Sequence, residues 1–249
     1  AAVDSGVIVI EAAGNGTVDL DHPTYGGKFD RSVRDSGAIL VSTGSSSGRY
    51  PLQWSNVGSR IDVHGWGENV AALGGSVFYG ADLHDGGENA SYTALFGGTS
   101  AASSMVSGVV ASIQGVALER WGRPIPPRTM RELLVRTGTP QSADLERNVG
   151  PLPNLEAAIN LVLDHFPDFV IPVITLLGDN PERIAVGESW NDPGANALDD
   201  VDGDISSQIS VGGDFVDTST VGAYVVTYDV TDQAGNPAIQ VMRTVEVYD

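Results

Sequence analysis

The sequence predicts two domains of different fold class, an α/β domain with a parallel sheet over residues 1–168 and an all-β sandwich over residues 169–249. Three observations carry this. Unbroken apolar runs such as Gly6-Val7-Ile8-Val9-Ile10 precede long stretches with helical spacing, and strands buried on both faces beneath helices read this way. Helical periodicity then ends at Phe166-Pro167-Asp168-Phe169-Val170-Ile171-Pro172. Beyond that point come short alternating runs separated by Gly, Pro, Asn and Asp, the pattern of a two-sheet β-domain.

The first run, Gly6 to Ile10, reads as a buried strand that breaks at Gly14-Asn15-Gly16. Glycines on both sides of Asn15 force a turn at the carboxyl end of the strand, where open α/β sheets place their sites. Asn between glycines is equally an ordinary turn residue. Ala38 to Ser42 reads as a second strand and Ile61 to His64 as a third, with a short extended piece near Val77-Phe78-Tyr79. A helix opens at Ser100 and runs to about Trp121, apolar around most of its circumference and free of charge before Glu119, which predicts burial in the core. Pro126-Pro127 opens a second helix through Met130, Leu133, Leu134 and Val135, with Arg128, Glu132 and Arg136 outside. Asn154 caps a third, Leu155 to His165. The strands of the second domain are expected at 173–177, 184–186, 205–211, 224–230 and 239–247.

Charge and composition exclude several functions. The 249 residues carry a formal charge of −19, which argues against nucleic acid or an anionic membrane surface as partner. Fourteen acids and two arginines lie from Pro172 onward, so the acidity is concentrated in the second domain. There is no cysteine, hence no disulfide, thiol chemistry or Cys-based zinc site. No uninterrupted apolar run reaches the roughly 18 residues of a membrane helix, so membrane insertion is not expected. The chain starts at Ala1 without Met or a signal peptide and reads as a piece of a longer one.

Gly97-Gly98-Thr99-Ser100 is where chemistry and helix capping overlap. A serine at a helix start sits beside backbone N–H groups that lack partners and at the positive end of the helix dipole. Those features suit a nucleophile whose attack creates an oxyanion, and they equally suit a plain cap.

The segment from Gly6-Val7-Ile8-Val9-Ile10 through Ala12-Ala13-Gly14-Asn15 resembles the oxyanion-hole strand of subtilisin-like serine proteases. Gly98-Thr99-Ser100-Ala101-Ala102-Ser103, with Val106 and Gly108, resembles their nucleophile motif, and the order of the two is theirs. Ile61-Asp62-Val63 before Gly65-Trp66-Gly67, and Gly150-Pro151-Leu152-Pro153-Asn154, are similar to two further family segments; the likeness covers residues 1 to about 165. The resemblance implies part of a three-layer subtilisin-like domain and a secreted or cell-surface bacterial endopeptidase acting on proteins or peptides. It implies Ser100 as nucleophile, Asn15 with the Ser100 N–H as oxyanion hole, and Ala12, Ala13 and Gly14 as one wall of the substrate pocket. No cofactor is implied for the chemistry.

Two departures from the family stand out. Ser104 occupies the position of its helix-start proline, a helix preference and not a chemical group. The family's catalytic Asp and His precede the Asn segment, upstream of this chain. His64-Gly65 is in the wrong order to replace them, and His22, His84 and His165 read as surface residues. The chain by itself is therefore expected to be inactive. The alternatives are a catalytically dead subtilisin-like fold, or a surface module acting through its second domain.

Residues 172–249 resemble the immunoglobulin-like modules of bacterial secreted enzymes, through Asp192-Pro193-Gly194-Ala195, Asp200-Val201-Asp202-Gly203-Asp204 and Asp232-Gln233-Ala234-Gly235-Asn236. The resemblance implies cell-surface or polysaccharide contact. Asp199, Asp200, Asp202 and Asp204 invite Ca²⁺, but the spacing is not a complete EF-hand loop, and an acidic turn closed by its own Asx bonds reads the same.

Overall fold

The computed structural model describes residues 2–74, 83–84 and 90–249. The extended piece expected near Val77 lies outside the described residues. The chain divides into two compact units, Ala1–Pro167 and Asp168–Asp249.

In the first unit three parallel strands lie side by side in chain order: β1 (Ile10–Ala12), β2 (Ile39–Gly44) and β3 (Val63–Trp66). Every residue of β2 is buried, as its central place requires. β1 is not the doubly buried strand expected from residues 6–10. Gly6 closes a short 3-10 turn in the left-handed region, pairing starts only at Ile10, and Val7 is exposed. β1 is also an edge strand among the described residues, so one side of it meets no neighbour. β3 starts two residues later than expected because Ile61 closes a turn onto Gly58 and Asp62 is held by arginines. β4 (Val70–Leu73) and β5 (Tyr92–Phe96) form an antiparallel pair leading into the main helix.

Helix α1 (Gly98–Trp121) lies against all three parallel strands. Ala101, Ala102, Val106, Val110, Ile113 and Ala117 form its buried stripe. The opposite face, with Ser104, Ser107, Ala111, Ser112 and Leu118, is exposed, so the helix is buried along one face and not around most of its circumference: nothing among the described residues covers the other. By length and composition α1 could cross a bilayer, but its apolar stripe is occupied by the sheet. Gly65 permits the close approach, since a Cβ there would stand 2.8 Å from the Ala102 backbone. Helices α2 (Pro127–Thr137) and α3 (Leu155–Asp164) complete the layer; Asn154 accepts the Ala157 N–H at 3.0 Å as the cap of α3.

Arg131 of α2, with sequence neighbours on the outer face, is buried, because it holds Asp35 through two hydrogen bonds of 2.7 and 2.8 Å. Arg128 adds a third at 2.9 Å. The Arg131 hydrogen bonds hold the Asp35 carboxyl far below the usual carboxylate range, against the opposing effect of burial. A depressed folded-state pKa contributes stability above the unfolded value, and that stability is lost as pH falls into the acid range. Asp35→Asn should therefore cost about 1.5–3 kcal/mol at pH 6. The gap to the parent chain should narrow steadily toward pH 3 in urea titrations; a gap that does not depend on pH would contradict it.

The second unit is a two-sheet sandwich. One sheet has the order β10 (Ser210–Gly213), β11 (Gly222–Asp229), β12 (Val241–Tyr248), β7 (Glu182–Ala185), and the last pair is parallel. The other has the order β6 (Val173–Leu176), β8 (Ala195–Asp199), β9 (Gly203–Asp204). Ile174, Ile184, Ala197, Val226, Tyr228 and Val245 fill the core between them. β8 escaped the sequence reading because Ala-Asn-Ala-Leu-Asp has weak strand propensity. Ile205, expected in a strand, is buried at a turn instead.

Candidate active site at the start of helix α1

Asn15 lies in the turn after β1, and Ser100 is the third residue of α1, not its cap; Gly97 holds the cap position without a side-chain bond. Gly98 is in the left-handed region (φ +76°) and donates its N–H to the Gly67 carbonyl at 2.7 Å, which sets the sharp entry into the helix. Thr99 then joins the two halves. Its N–H donates to Asn15 Oδ1 at 2.9 Å, and its buried hydroxyl accepts the Gly14 N–H at 3.2 Å.

This pairing decides which groups are left over. Of the first-turn N–H groups, that of Gly98 goes to Gly67 and that of Thr99 to Asn15, which leaves the Ser100 N–H without a partner among the described residues. Because Asn15 Oδ1 is engaged, its Nδ2 is the end left to donate outward; it lies 3.2 Å from where a Cβ on Gly98 would stand. Ser100 and Asn15 are both exposed, and no hydrogen bond engages the Ser100 hydroxyl among the described residues. The Ser100 carbonyl accepts the Ser104 hydroxyl at 2.9 Å, so Ser104 folds back onto the helix where the family has proline.

Ala12, Ala13 and Gly14 lead from β1 into this turn, with Ala12 exposed and the other two half-buried. Sequence reasoning gave no role to Asn56, yet it holds the turn from outside. Its Nδ2 donates to the Ala13 carbonyl at 2.7 Å, and its Oδ1 accepts the Gly16 and Val18 N–H groups at 3.0 and 2.9 Å. An Asn some 40 residues away, in a loop, gives no periodic signal of such a contact.

None of the four histidines is hydrogen-bonded to Ser100 among the described residues. His64 is fully buried on β3, and its Nδ1–H donates to the Gly150 carbonyl at 2.7 Å. Burial pushes its pKa below the usual value, and Nε2 has no partner. It is a neutral core imidazole. His22 instead caps a short turn through the Thr24 N–H.

The first unit thus has a serine-protease-like fold, with a parallel sheet, a serine in the first turn of the central helix and an asparagine at a strand end. The chain belongs to the subtilase family, whose profile matches residues 1–151, and residues 174–247 match the family described as "Bacterial surface protein, Ig-like domain". An "Outer cell wall protein" of Brevibacillus brevis is 28% identical over 147 residues, 53% of this chain and 14% of that protein. The chain therefore spans about one seventh of that curated relative. Fervidolysin from Fervidobacterium pennivorans, described as a keratinolytic enzyme related to subtilisin, aligns over 99% of this chain and 38% of its own at 16% identity and a TM-score of 0.49. A protease of Pseudoalteromonas arctica aligns over 65% of this chain and 44% of its own at 21% identity and a TM-score of 0.47.

Proposed function

We propose that this chain carries the nucleophile and oxyanion half of a serine endopeptidase. The observation that carries the reading is the Thr99 bridge, which ties Asn15 to the first turn of α1 and leaves the Ser100 N–H and Asn15 Nδ2 without partners among the described residues. Ser100 Oγ attacks the scissile carbonyl carbon and its proton passes to a general base. The carbonyl oxygen becomes an oxyanion that accepts from Ser100 N–H and Asn15 Nδ2. As the intermediate collapses, the protonated base gives that proton to the leaving nitrogen and the amine departs; water, giving a proton to the same base, then attacks the acyl-serine, and the base returns the proton to Ser100 Oγ as the acid leaves. Ala12, Ala13 and Gly14 form the wall beside the substrate side chain that precedes the cut bond. No described imidazole is hydrogen-bonded to Ser100, and in this reading the base is a His, oriented by an Asp, supplied from outside these residues, so the 249 residues alone are inactive.

A fluorophosphonate probe tests this. The full-length protein should be labelled, and Ser100→Ala should abolish labelling. Asn15→Ala should slow peptide hydrolysis about 10²–10³-fold, a magnitude taken from measurements on subtilisin itself. The 249 residues alone should label only at a trace rate. Full-length protein whose labelling is absent, or survives Ser100→Ala, would sink the reading.

A second reading concerns the acidic sandwich, and its match to a bacterial surface Ig-like family favours it. Here the unit holds the enzyme at the bacterial surface by binding cell-wall or polysaccharide material. Sedimentation of the chain with cell-wall preparations should then require residues 168–249; equal sedimentation without them excludes it.

A further inference from the structure

Three carboxylates from distant parts of the second unit converge: Asp168 at its start, Asp199 at the end of β8 and Asp232 in the turn after β11. One oxygen from each lies within 4.8 Å of the others. Asp199 and Asp232 are 8% and 6% exposed. Asp199 Oδ1 accepts the Val201 and Asp202 N–H groups at 2.8 and 2.7 Å, which fixes the carboxylate in a tight turn, while its buried Oδ2 has no partner. Buried Asp168 Oδ1 has none either. Asn236 steadies the cluster, donating to Asp232 from its backbone and side chain at 2.8 Å each and to the Asp168 carbonyl at 3.4 Å.

A buried carboxylate oxygen without a donor is costly, and three carboxylates together add mutual repulsion. Neither arginine of the unit is paired with these three carboxylates. The unit holds only two basic residues: Arg183 pairs with Glu246, and Arg243 is enclosed by Glu182 and Asp192. Burial first, and then the charges of Asp199, Asp232 and Asp200, push Asp168 up to about 7.

We infer that Asp168, Asp199 and Asp232 form a binding site for one divalent cation, calcium by the all-carboxylate ligand set, that closes this end of the sandwich. Hard cations take carboxylate oxygens, and opposite ligands of Ca²⁺ stand about 4.6–5.2 Å apart against about 4.2 Å for Mg²⁺. The three oxygens, all within 4.8 Å of one another, fit inside the shell of one Ca²⁺, whose flexible geometry accepts an all-carboxylate set more readily than octahedral Mg²⁺, which keeps several waters. The site differs from the run of acids that attracts the eye in the sequence. Of that run only Asp199 takes part; Asp202 accepts the Gln233 N–H at 2.8 Å, and exposed Asp204 is engaged by Ser206 at 2.9 Å.

Calorimetric titration of CaCl₂ into the chelator-stripped 249-residue chain is the test. One saturable site is expected, with Kd between about 10⁻⁶ and 10⁻³ M, and with Mg²⁺ at least ~10-fold weaker. Asp199→Asn and Asp232→Asn should each weaken Ca²⁺ by at least ~10-fold, whereas Asp202→Asn with Asp204→Asn should leave it unchanged. Asp168→Asn covers the case in which the buried variants fail to fold, since its Oδ1 holds nothing in place; it too should lose affinity. No saturable binding at 10 mM Ca²⁺, about tenfold above the weakest extracellular modules, overturns the site. Binding that survives Asp168→Asn undiminished, or that the Asp202/Asp204 pair abolishes, overturns it as well. Equal affinity for Mg²⁺ overturns the assignment to calcium.

Discussion

Asp62→Ala should cost the first unit about 3–5 kcal/mol, because it strands buried cations. Asp62 is 2% exposed, and its Oδ2 accepts from Arg60 Nη1 at 2.6 Å and from the Leu40 N–H at 2.7 Å. Its Oδ1 pairs with Arg31. Arg60 is itself buried, and burial, with Arg31 and Arg131 nearby, brings its pKa down to about 10. Removing the carboxylate leaves Arg60 charged in a dry site and a β2 N–H unbonded. The network joins the amino ends of β2 and β3, whereas Asn15 follows the carboxyl end of β1, so the loss falls on stability and not on the arrangement at Ser100. Urea unfolding of the parent and Asp62→Ala chains measures it. Asp62→Leu combined with Arg60→Met should recover most of the loss, since an apolar pair needs no desolvation. A cost below about 1 kcal/mol for Asp62→Ala would show that Arg60 finds water or another partner, and would refute the argument.

These arginines also mark where the sequence stops being informative. Helix α3 was legible down to its cap, because Asn154 and the apolar stripe of 155–164 are local signals. The apolar character of most of α1's circumference was legible too, but it could not say which face the sheet takes; Ala101, Ala102, Val106, Val110, Ile113 and Ala117 on one side are the buried ones. Arg131 is indistinguishable in sequence from Arg128 or Arg136, and only the position of Asp35, 96 residues away, makes it a buried residue. The candidate site shows the same division. Gly-Thr-Ser before a helix and Gly-Asn-Gly after a strand are local patterns, so Ser100 and Asn15 could be proposed from sequence. Their connection through Thr99, and the hold of Asn56 on the turn, depend on chain topology and carry no periodic signature. The three aspartates of the second unit are a further case, since spacings of about 30 residues match no loop motif.

Arg243→Ala should unfold the second unit at room temperature. Arg243 is fully buried on β12 and donates to the Leu177, Asp179 and Gly194 carbonyls and to the Tyr228 hydroxyl, the last two at 3.1 and 3.2 Å. Asp192 and Glu182 stand 3.6 and 3.5 Å from it, and the Tyr228 hydroxyl donates to Asp192 at 2.6 Å. One guanidinium thus ties β12, β11 and the turns after β6 and before β8 into a single polar cluster inside an apolar core. Truncation removes the charge partner of two acids and the donors for three carbonyls, and leaves a large cavity. A broken buried pair alone costs about 3–5 kcal/mol, close to the whole stability of a small domain at about 5 kcal/mol. Arg243→Lys should recover less than half of this, since one ammonium cannot match the planar fork that reaches several carbonyls at once. Amide exchange in β11 and β12 reads the result directly: protection should vanish in Arg243→Ala and persist in α1 of the same chain. Retained protection in β11 would mean that the cluster is dispensable and that the apolar core alone holds the two sheets.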